Sequence, residues 1–332
     1  NIGIDFGFFD NRLKGTVEYY NRDSRNLLQD VPISRVTGFT TTLQNVGEIN
    51  NKGLEFQLDG DIIRKRDFVW SASANISFLK SKVTKLYDGA DIIWYDPTGG
   101  DDRAQYIYRE GESTLAFYGC EWAGVDKTNG KSVYYVNDPT DSQKGDFSYN
   151  GRGATYDFNN ANYKVIGNAV PFANGGFSTS ANYMGFDLSL DFIYKLGGKL
   201  YDGAYKDVAD DGYYWERIRA KSYYENMWTP THTDGTQPAL SGSDLEDAMQ
   251  YSTRQMHDAT FLRLKTLTLG YTLPKTWSQK AFISRARLYC NISNLLTFSK
   301  YKEADPEVNA YGTRGWETPI GKTYLFGIDL QF

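Results

Sequence analysis

Apolar and polar residues alternate along several segments of the chain. The clearest, residues 186–196, reads FDLSLDFIYKL, with an apolar residue at almost every second position. Residues 51–62, 67–78 and 324–332 have the same period of two. Because successive side chains of a strand point to opposite faces, each segment predicts a β-strand with one apolar and one polar face.

The connections between these strands alternate between short and long. Asp10-Asn11 and Met184-Gly185 are short turns between neighbouring strands. The long links comprise residues 23–50, 81–112, 138–171, 198–257 and 296–320. Short turns at one end and long loops at the other are typical of outer-membrane barrels. A compact soluble domain rarely contains so many long irregular links.

The pattern predicts an all-β fold, an antiparallel transmembrane β-barrel. We count about eleven strands, including weaker ones at 113–125 and 130–137. Unpaired strand edges are costly in lipid, so we expect about as many strands again upstream, with residues 1–332 forming part of one barrel domain. The strand at 258–273 is irregular, because Arg263 and Lys265 share a face with leucines. A bulge or a membrane boundary near Thr266 would explain it.

Composition adds an excess of aromatic residues. The 332 residues include 26 Tyr, 19 Phe and 7 Trp, and tyrosine and tryptophan suit membrane interfaces. The net charge of −5 and the absence of a basic block give no sign of nucleic-acid binding. No run approaches the ~20 apolar residues of a membrane helix. The mean hydropathy of −0.55 is compatible with a barrel, whose loops and lumen are polar.

The last segment resembles the terminal signal by which barrels are recognised for outer-membrane assembly. Apolar residues occupy alternate positions up to the end of the chain, namely Tyr324, Phe326, Ile328, Leu330 and Phe332. A soluble β-sandwich also shows period-two alternation and remains the alternative fold. Segment length, loop asymmetry and this final strand favour the membrane barrel.

No catalytic constellation is present, and we predict neither an enzyme nor a cofactor or metal requirement. His232 and His257 are the only histidines and have no evident third partner for a triad or a zinc site. Two acidic clusters offer oxygen ligands for Ca²⁺, although acidic loop residues are more often simply solvated. These clusters comprise Asp101 and Asp102, and Asp207, Asp210 and Asp211.

Aromatic residues in the long loops are the best functional candidates. Flat rings stack on sugars or grip peptide side chains, and they also form small loop cores or protein contacts. The candidates for substrate or lid contact are Trp94, Tyr95, Tyr213, Tyr214, Trp215, Trp228, Tyr311 and Trp316. On the strand at 186–196, the alternation predicts that Asp187, Ser189 and Asp191 face the lumen.

Six ordered motifs across nearly the whole chain resemble the SusC/RagA-like TonB-dependent outer-membrane transporters. The most specific is residues 259–274, ATFLRLKTLTLGYTLP. The others include NVGEINNKGLE at 45–55, DFVW at 67–70, IGN at 166–168, GFDLS at 185–189, and NLLTF at 294–298 with DPE at 305–307. A single motif of this kind would be weak, whereas six in the family's order are specific.

The resemblance implies a barrel of roughly 22 strands, whose chain crosses the outer membrane of a Gram-negative bacterium many times. It further implies a plug in the lumen, a SusD-like surface lipoprotein as a lid, and import powered by the TonB complex. Outer-membrane lipids and the barrel-assembly machinery are the other expected partners. The plug and the TonB-contacting segment lie outside this sequence, so energised import depends on analogy.

The sequence leaves three classes of function open. The leading hypothesis is nutrient import, of glycans or of oligopeptides. A barrel serving as a structural or secretion-complex component, and a soluble carbohydrate-binding β-protein, are the alternatives. A plug domain upstream would favour import, and dependence on detergent for solubility would exclude the soluble protein.

We predict that Phe332 is required for assembly, since it belongs to both a strand edge and the expected assembly signal. Deleting Phe332, or Phe332→Asp, should lower the amount of protein in the outer membrane with little effect on its synthesis. Quantifying the protein in membrane fractions against total synthesis measures this. Normal surface abundance of the deletion would contradict the prediction.

Overall fold

The computed structural model describes residues 1–332 except 33–35, 37, 40, 98–103, 137–144 and 241–249. Nine strands form one antiparallel sheet in which every strand pairs with its neighbour in sequence order within the sheet. They are β1 (Ile2–Phe8), β2 (Leu13–Pro32), β3 (Thr41–Arg64), β4 (Phe68–Lys85), β5 (Ala173–Tyr183), β6 (Phe186–Leu196), β7 (Phe261–Thr272), β8 (Arg285–Ser299) and β9 (Thr323–Gln331).

Four connections of this sheet lie at one end, the turn end. They are residues 9–12, 65–67, 184–185 and 273–284, the last containing a helix at Lys275–Ser278 and a 3₁₀ turn at Gln279–Ala281. Met184 and Gly185 both have positive φ, the backbone that a tight two-residue hairpin needs. The other four connections, three of them 20 residues or longer, lie at the opposite end, the loop end.

Three small sheets fill the long connections. The first joins Ile92–Tyr95, Gln105–Tyr108, Ala116–Gly119 and Lys164–Asn168; the second joins Trp122–Val125, Ser132–Tyr135, Phe147–Tyr149 and Arg152–Thr155. The third joins Lys199–Asp202, Met256–Asp258 and Thr313–Arg314. Two short helices, Gly203–Val208 and Lys221–Asn226, and 3₁₀ turns at Tyr87–Gly89, Phe158–Asn160 and Thr253–Gln255 complete the loops. Among the described residues, no helix has the length and apolarity that crossing a membrane requires.

Two details of the predicted strand count are wrong. Residues 113–125 and 130–137 are not strands of the main sheet; they supply short strands to the small sheets, so the main sheet has nine strands in the described residues. Residues 23–50 are not a long irregular link, because β2 continues to Pro32 and β3 begins at Thr41. Both strands extend this far because they pair with each other up to Pro32 and Thr41.

The register gives the main sheet one apolar and one polar face. Leu188 pairs with Leu269, and Leu269 with Cys290, along a single apolar row. The adjacent row is polar, since Ser189 pairs with Thr268, and the Asn291 amide donates to Thr268 Oγ1 at 2.8 Å. Asp187, Ser189 and Asp191 all lie on this polar face, and that the face lines a lumen stays a prediction.

The apolar face of the sheet is exposed. Phe326 is 78% exposed and Ile328 is 66% exposed, whereas the fully buried apolar side chains lie mostly in the loops. A soluble sandwich would cover this face with a second sheet, and no described element does so. An apolar outer band is what a barrel presents to lipid.

A bulge explains the irregular strand at 258–273. The register shifts between Leu264 and Thr266 against both neighbours of β7. Lys265 is the extra residue against β6, whereas on the other side β8 has the extra residue, because Asn294 and Leu295 lie opposite Lys265 alone. Beyond the bulge Arg263 pairs with Ile193 and Thr297 on the polar face. Of the two explanations that the sequence left open, the bulge is confirmed.

The bulge directs Arg263 into the loop end, where it is fully buried. Its guanidinium ion-pairs with Asp305 and, at 2.6 Å, with Glu307. The Lys265 ammonium lies 3.5 Å from Glu307, so the extra residue joins the same cluster. One strand of the wall thereby anchors the segment that connects β8 to β9.

We expect the free energy of folding to show which residues of β6 face lipid. Leu190→Arg should destabilise the folded barrel by roughly 2–4 kcal/mol if Leu190 lies near the midplane, because the charge would face lipid. Asp191→Asn, the next residue on the polar face, should cost little. Folding titrations in lipid vesicles measure both variants, and equal tolerance of the two would exclude the assignment.

Arg263→Met should loosen the loop end more than the wall. Removing one partner of a buried ion pair leaves uncompensated charge and typically costs about 3–5 kcal/mol. We expect faster hydrogen exchange in residues 300–314 without loss of the sheet. Arg287→Met, which breaks a pair with Asp187 on the main sheet (2.5 Å), is the matched control and should leave that segment unchanged. Unaltered exchange at 300–314 in Arg263→Met would contradict the anchoring role.

Candidate functional site

The loop end is a folded layer with its own small cores. The largest contains Tyr106, Phe117 and Tyr201, all 1% exposed or less, together with two alanines. A second core surrounds Cys120 and Tyr134, and a third surrounds Tyr205 and Tyr223. Most aromatic rings of the loops therefore pack against one another.

Trp94 and Tyr311 belong to the largest core. The Trp94 ring stacks on Tyr106 with centroids 4.4 Å apart, and the Tyr106 hydroxyl donates to the Tyr311 carbonyl at 2.6 Å. Tyr95 points the other way along the same short strand and is 39% exposed, with its ring 5.9 Å from that of Tyr251. Of these three candidates, Tyr95 presents the most ring surface.

Asp202 connects three parts of the loop layer. Its fully buried carboxylate accepts two hydrogen bonds from Arg314, at 2.8 and 2.9 Å, and one from the Tyr301 hydroxyl. It also caps the helix at Gly203–Val208 by accepting from the Tyr205 N–H at 2.8 Å. Burial and the nearby Asp202 carboxylate raise the pKa of Tyr301, which keeps its hydroxyl protonated as a donor. This cluster holds residues 199–208, 301 and 313–314 together.

The acidic cluster considered for Ca²⁺ is divided among arginines. Asp207 pairs with Arg217 at 3.0 Å, and Asp210 pairs with Arg219 at 2.9 Å. Asp211 pairs with Arg254 at 2.6 Å. Within the described ranges no group of three potential metal ligands converges. Asp101 and Asp102 lie outside the described residues.

The two histidines occupy different environments, and neither forms a triad in the part of the chain that the structure describes. His257 lies in the short strand Met256–Asp258 with its ring 4.9 Å from that of Tyr301. Burial lowers the pKa of His257. His232 lies in a turn, with Nδ1 3.0 Å from the Met227 carbonyl oxygen.

Trp228 supports the loop structure. Its ring covers Gly130, where an added Cβ would lie 2.5 Å from the ring, and its indole N–H donates to the Lys127 carbonyl at 3.0 Å. Tyr214 is also partly covered, because the Arg217 guanidinium stacks 3.6 Å above the ring centroid. Both candidates therefore have structural contacts.

Four exposed apolar side chains remain near Asp207, and we refer to them as the Trp215 patch: Tyr213, Trp215, Ile218 and Trp316. Trp215 is 88% exposed and Ile218 is 89% exposed. Trp316 is 63% exposed, and its indole N–H donates at 3.2 Å to Asp207, the carboxylate that also pairs with Arg217. Exposed apolar clusters of this kind mark protein or ligand contacts.

The sequence did not single out Ile218. A lone isoleucine between Glu216-Arg217 and Arg219 gives no periodic signal, and its exposure follows from the fold of the loop. The buried arginines Arg219 and Arg254 were also missed, since a charged loop residue is normally solvated. The surplus of acidic residues in 202–211 was the available signal, because buried carboxylates need cationic partners.

Comparison with known proteins gives consistent results. A family model described as "TonB dependent receptor-like, beta-barrel" matches residues 1–109. TonB-dependent receptor P3 of Formosa agariphila is 32% identical over 100% of this chain and 34% of its own length. TonB-dependent receptor SusC of Bacteroides thetaiotaomicron is 29% identical over 100% of this chain and 31% of its own length.

Solved structures agree with the curated relatives. The RagAB peptide transporter superposes with a TM-score of 0.81 and 32% identity, covering 99% of this chain and 34% of that one. The chain thus spans about a third of the length of the proteins it matches. With the ordered motifs, the two-faced antiparallel sheet and identity of about one third along the whole chain, this chain belongs to the SusC/RagA-like family of TonB-dependent receptors.

Proposed function

We propose that the chain is part of an outer-membrane nutrient importer that works without bond chemistry of its own. The observation that carries the proposal is the likeness to the RagAB peptide transporter over 99% of the chain. A two-faced sheet with a folded loop layer at one end is the architecture that a gated pathway requires. The barrel would form its wall and the loops its outer mouth.

The placement in the membrane follows from the faces of the sheet. The apolar face would contact outer-membrane lipids, and the polar face with Asp187, Ser189 and Asp191 would line the lumen. The turn end would lie in the periplasm and the loop end outside the cell. The alternating residues Tyr324 to Phe332 would be read by the barrel-assembly machinery.

The candidate aromatic residues would act at two levels. Tyr95, Tyr213, Trp215 and Trp316 expose ring surface for a SusD-like lipoprotein or for substrate. Trp94, Tyr214, Trp228 and Tyr311 would act indirectly, by fixing the loops that carry the exposed rings. Trp215 and Ile218 are nearly fully exposed, as expected of anchors that a partner covers.

Energy for import would come from the TonB complex through a region outside this sequence. The substrate would be an oligopeptide or a glycan, and RagAB, by its name, carries peptides. Growth of a strain on peptides or on glycans as the sole nutrient, with and without the full-length gene, would separate the two. Uptake that persists without TonB would contradict energised import.

We predict that the double variant Trp215→Ala with Ile218→Ser weakens association with the lid lipoprotein, or uptake, without preventing barrel insertion. The loss of two exposed apolar anchors should strongly reduce co-purification of the lid, since one interface hot spot typically contributes at least about 2 kcal/mol, roughly a 30-fold change in Kd. Affinity purification from membranes and substrate uptake by whole cells measure the effect.

Two variants provide the comparison. Trp277→Ala removes a tryptophan that is also 63% exposed but lies at the turn end, and it should change neither quantity. Trp228→Ala should disturb the loop around Gly130 and so act through loop order. Hydrogen exchange of residues 205–230 would be slowed by the lid in the wild type. Fast exchange with and without the lid would exclude the patch as its contact.

A further inference from the structure

The wall of the sheet is open at one place near the loop end. β4 pairs with β5 as far as Ser77, opposite Asn174. Farther along, the Val83 N–H donates to the Glu112 carbonyl at 3.0 Å, and the Gly111 N–H donates to the Val83 carbonyl at 2.8 Å. Between Ser77 and Val83 that edge of β4 has no strand partner among the residues described. A cleft of about 1290 Å³ opens there.

Apolar side chains, which we call the floor, line the opening of this cleft on the apolar face of the sheet. Leu54 and Phe78 are direct cross-strand partners on the apolar face, next to Tyr19. Phe172, which is 71% exposed, meets Phe78 edge to face with ring centroids 5.4 Å apart. Rings and aliphatic groups with this exposure, on the lipid-facing side of the wall, provide a surface for hydrocarbon chains.

Three lysines stand directly above the floor on the same face. Lys52 pairs with Lys80, and Lys82 follows two residues later on β4, opposite Asn50. Directly opposed residues have Cβ atoms about 4.5–5.5 Å apart, where like charges destabilise a sheet. None of the three lysines forms an ion pair with a described carboxylate.

The other charges of the cleft do not compensate this cluster. The lining contains four lysines and two carboxylates, Glu112 and Asp258. The Asp258 carboxylate accepts from the Thr260 N–H at 2.9 Å, and its pKa is lowered chiefly by the hydrogen bonds from Thr260, with Lys199 adding to the effect. Lys52, Lys80 and Lys82 are therefore left with excess positive charge.

The height of the lysines fits the headgroup region of one leaflet. Ten residues of β4 separate Phe68, at the turn end, from Phe78, and at roughly 3.3 Å per residue and ~40° tilt they rise about 25 Å. That is the height of the apolar band of an outer-membrane barrel. Lys80 is the next residue on the same face, so it lies where the outer leaflet's phosphates begin.

We propose that Lys52, Lys80 and Lys82 bind the phosphate group of a phosphorylated glycolipid of the outer leaflet, whose acyl chain packs on Phe78 and Phe172. Lysine ammonium groups suit a phosphate as compact point charges, and a shared anion relieves the repulsion between Lys52 and Lys80. The lipid would also cover the unpaired edge of β4. The inference depends on the proposed membrane orientation but on neither import nor the lid.

The test uses the full-length protein, purified in detergent and titrated with bis-phosphorylated lipid A under native mass spectrometry. Lys52→Gln, Lys80→Gln and Lys82→Gln combined should weaken lipid A binding by roughly 10- to 100-fold, given the typical contribution of each basic residue near an anionic leaflet. Dephosphorylated lipid A should bind the wild type and this variant equally. Inorganic phosphate at the same concentration should displace little lipid.

A matched triple variant removes the same charge from the opposite end of the barrel and should bind lipid A as the wild type does. It combines Lys65→Gln, Lys275→Gln and Lys280→Gln.

A second readout is thermal unfolding in lipid-free detergent. There the first variant should unfold at the same temperature as the wild type or higher, because it loses the Lys52–Lys80 repulsion. Equal lipid A binding by wild type and first variant, equal binding of both lipid A forms to the wild type, or full displacement by inorganic phosphate would each overturn the proposal.

Discussion

The requirement that every backbone N–H and C=O in lipid has a partner governs this structure. No water is available at membrane depth, and each unsatisfied group costs several kcal/mol, so strands must pair along their whole membrane-spanning length. The antiparallel order satisfies this for the seven inner strands, with connections of at most 12 residues at the turn end. Pairing of β4 with β5 ends at Ser77, at the upper limit of the apolar band, and the edge from there to Val83 lies at headgroup height, where polar partners are available.

The bulge on β7 links the wall to the loops. Because Lys265 is an extra residue against β6, Arg263 lies on the polar face of the sheet instead of the apolar one. Its buried guanidinium there pairs with Asp305 and Glu307. Asp202 and Asp211 form similar buried pairs with Arg314 and Arg254. Such pairs add little net stability over apolar packing, but breaking one is costly, so they select a single arrangement of the loops.

The same fold divides the loop aromatics into two groups. Trp94 and Trp228 fill space between loop strands, whereas Trp215 stands free of any core. All three are tryptophans in long links, each preceded by an apolar or aromatic residue, so their sequence contexts did not separate them. The difference lies in contacts between residues more than a hundred positions apart, such as Trp228 with Lys127.

The sequence by itself determined the two-faced strands, because alternation with period two is a local property that a backbone pleat converts directly into faces. It also indicated the short turns, the family and the irregularity near Thr266. The tertiary structure alone decided that residues 113–137 join small loop sheets, that Asp207, Asp210 and Asp211 each meet an arginine, and that Lys52 opposes Lys80. These depend on strand register and on the partners of distant segments. No local pattern carries that information, because one residue of slip moves every side chain to the other face.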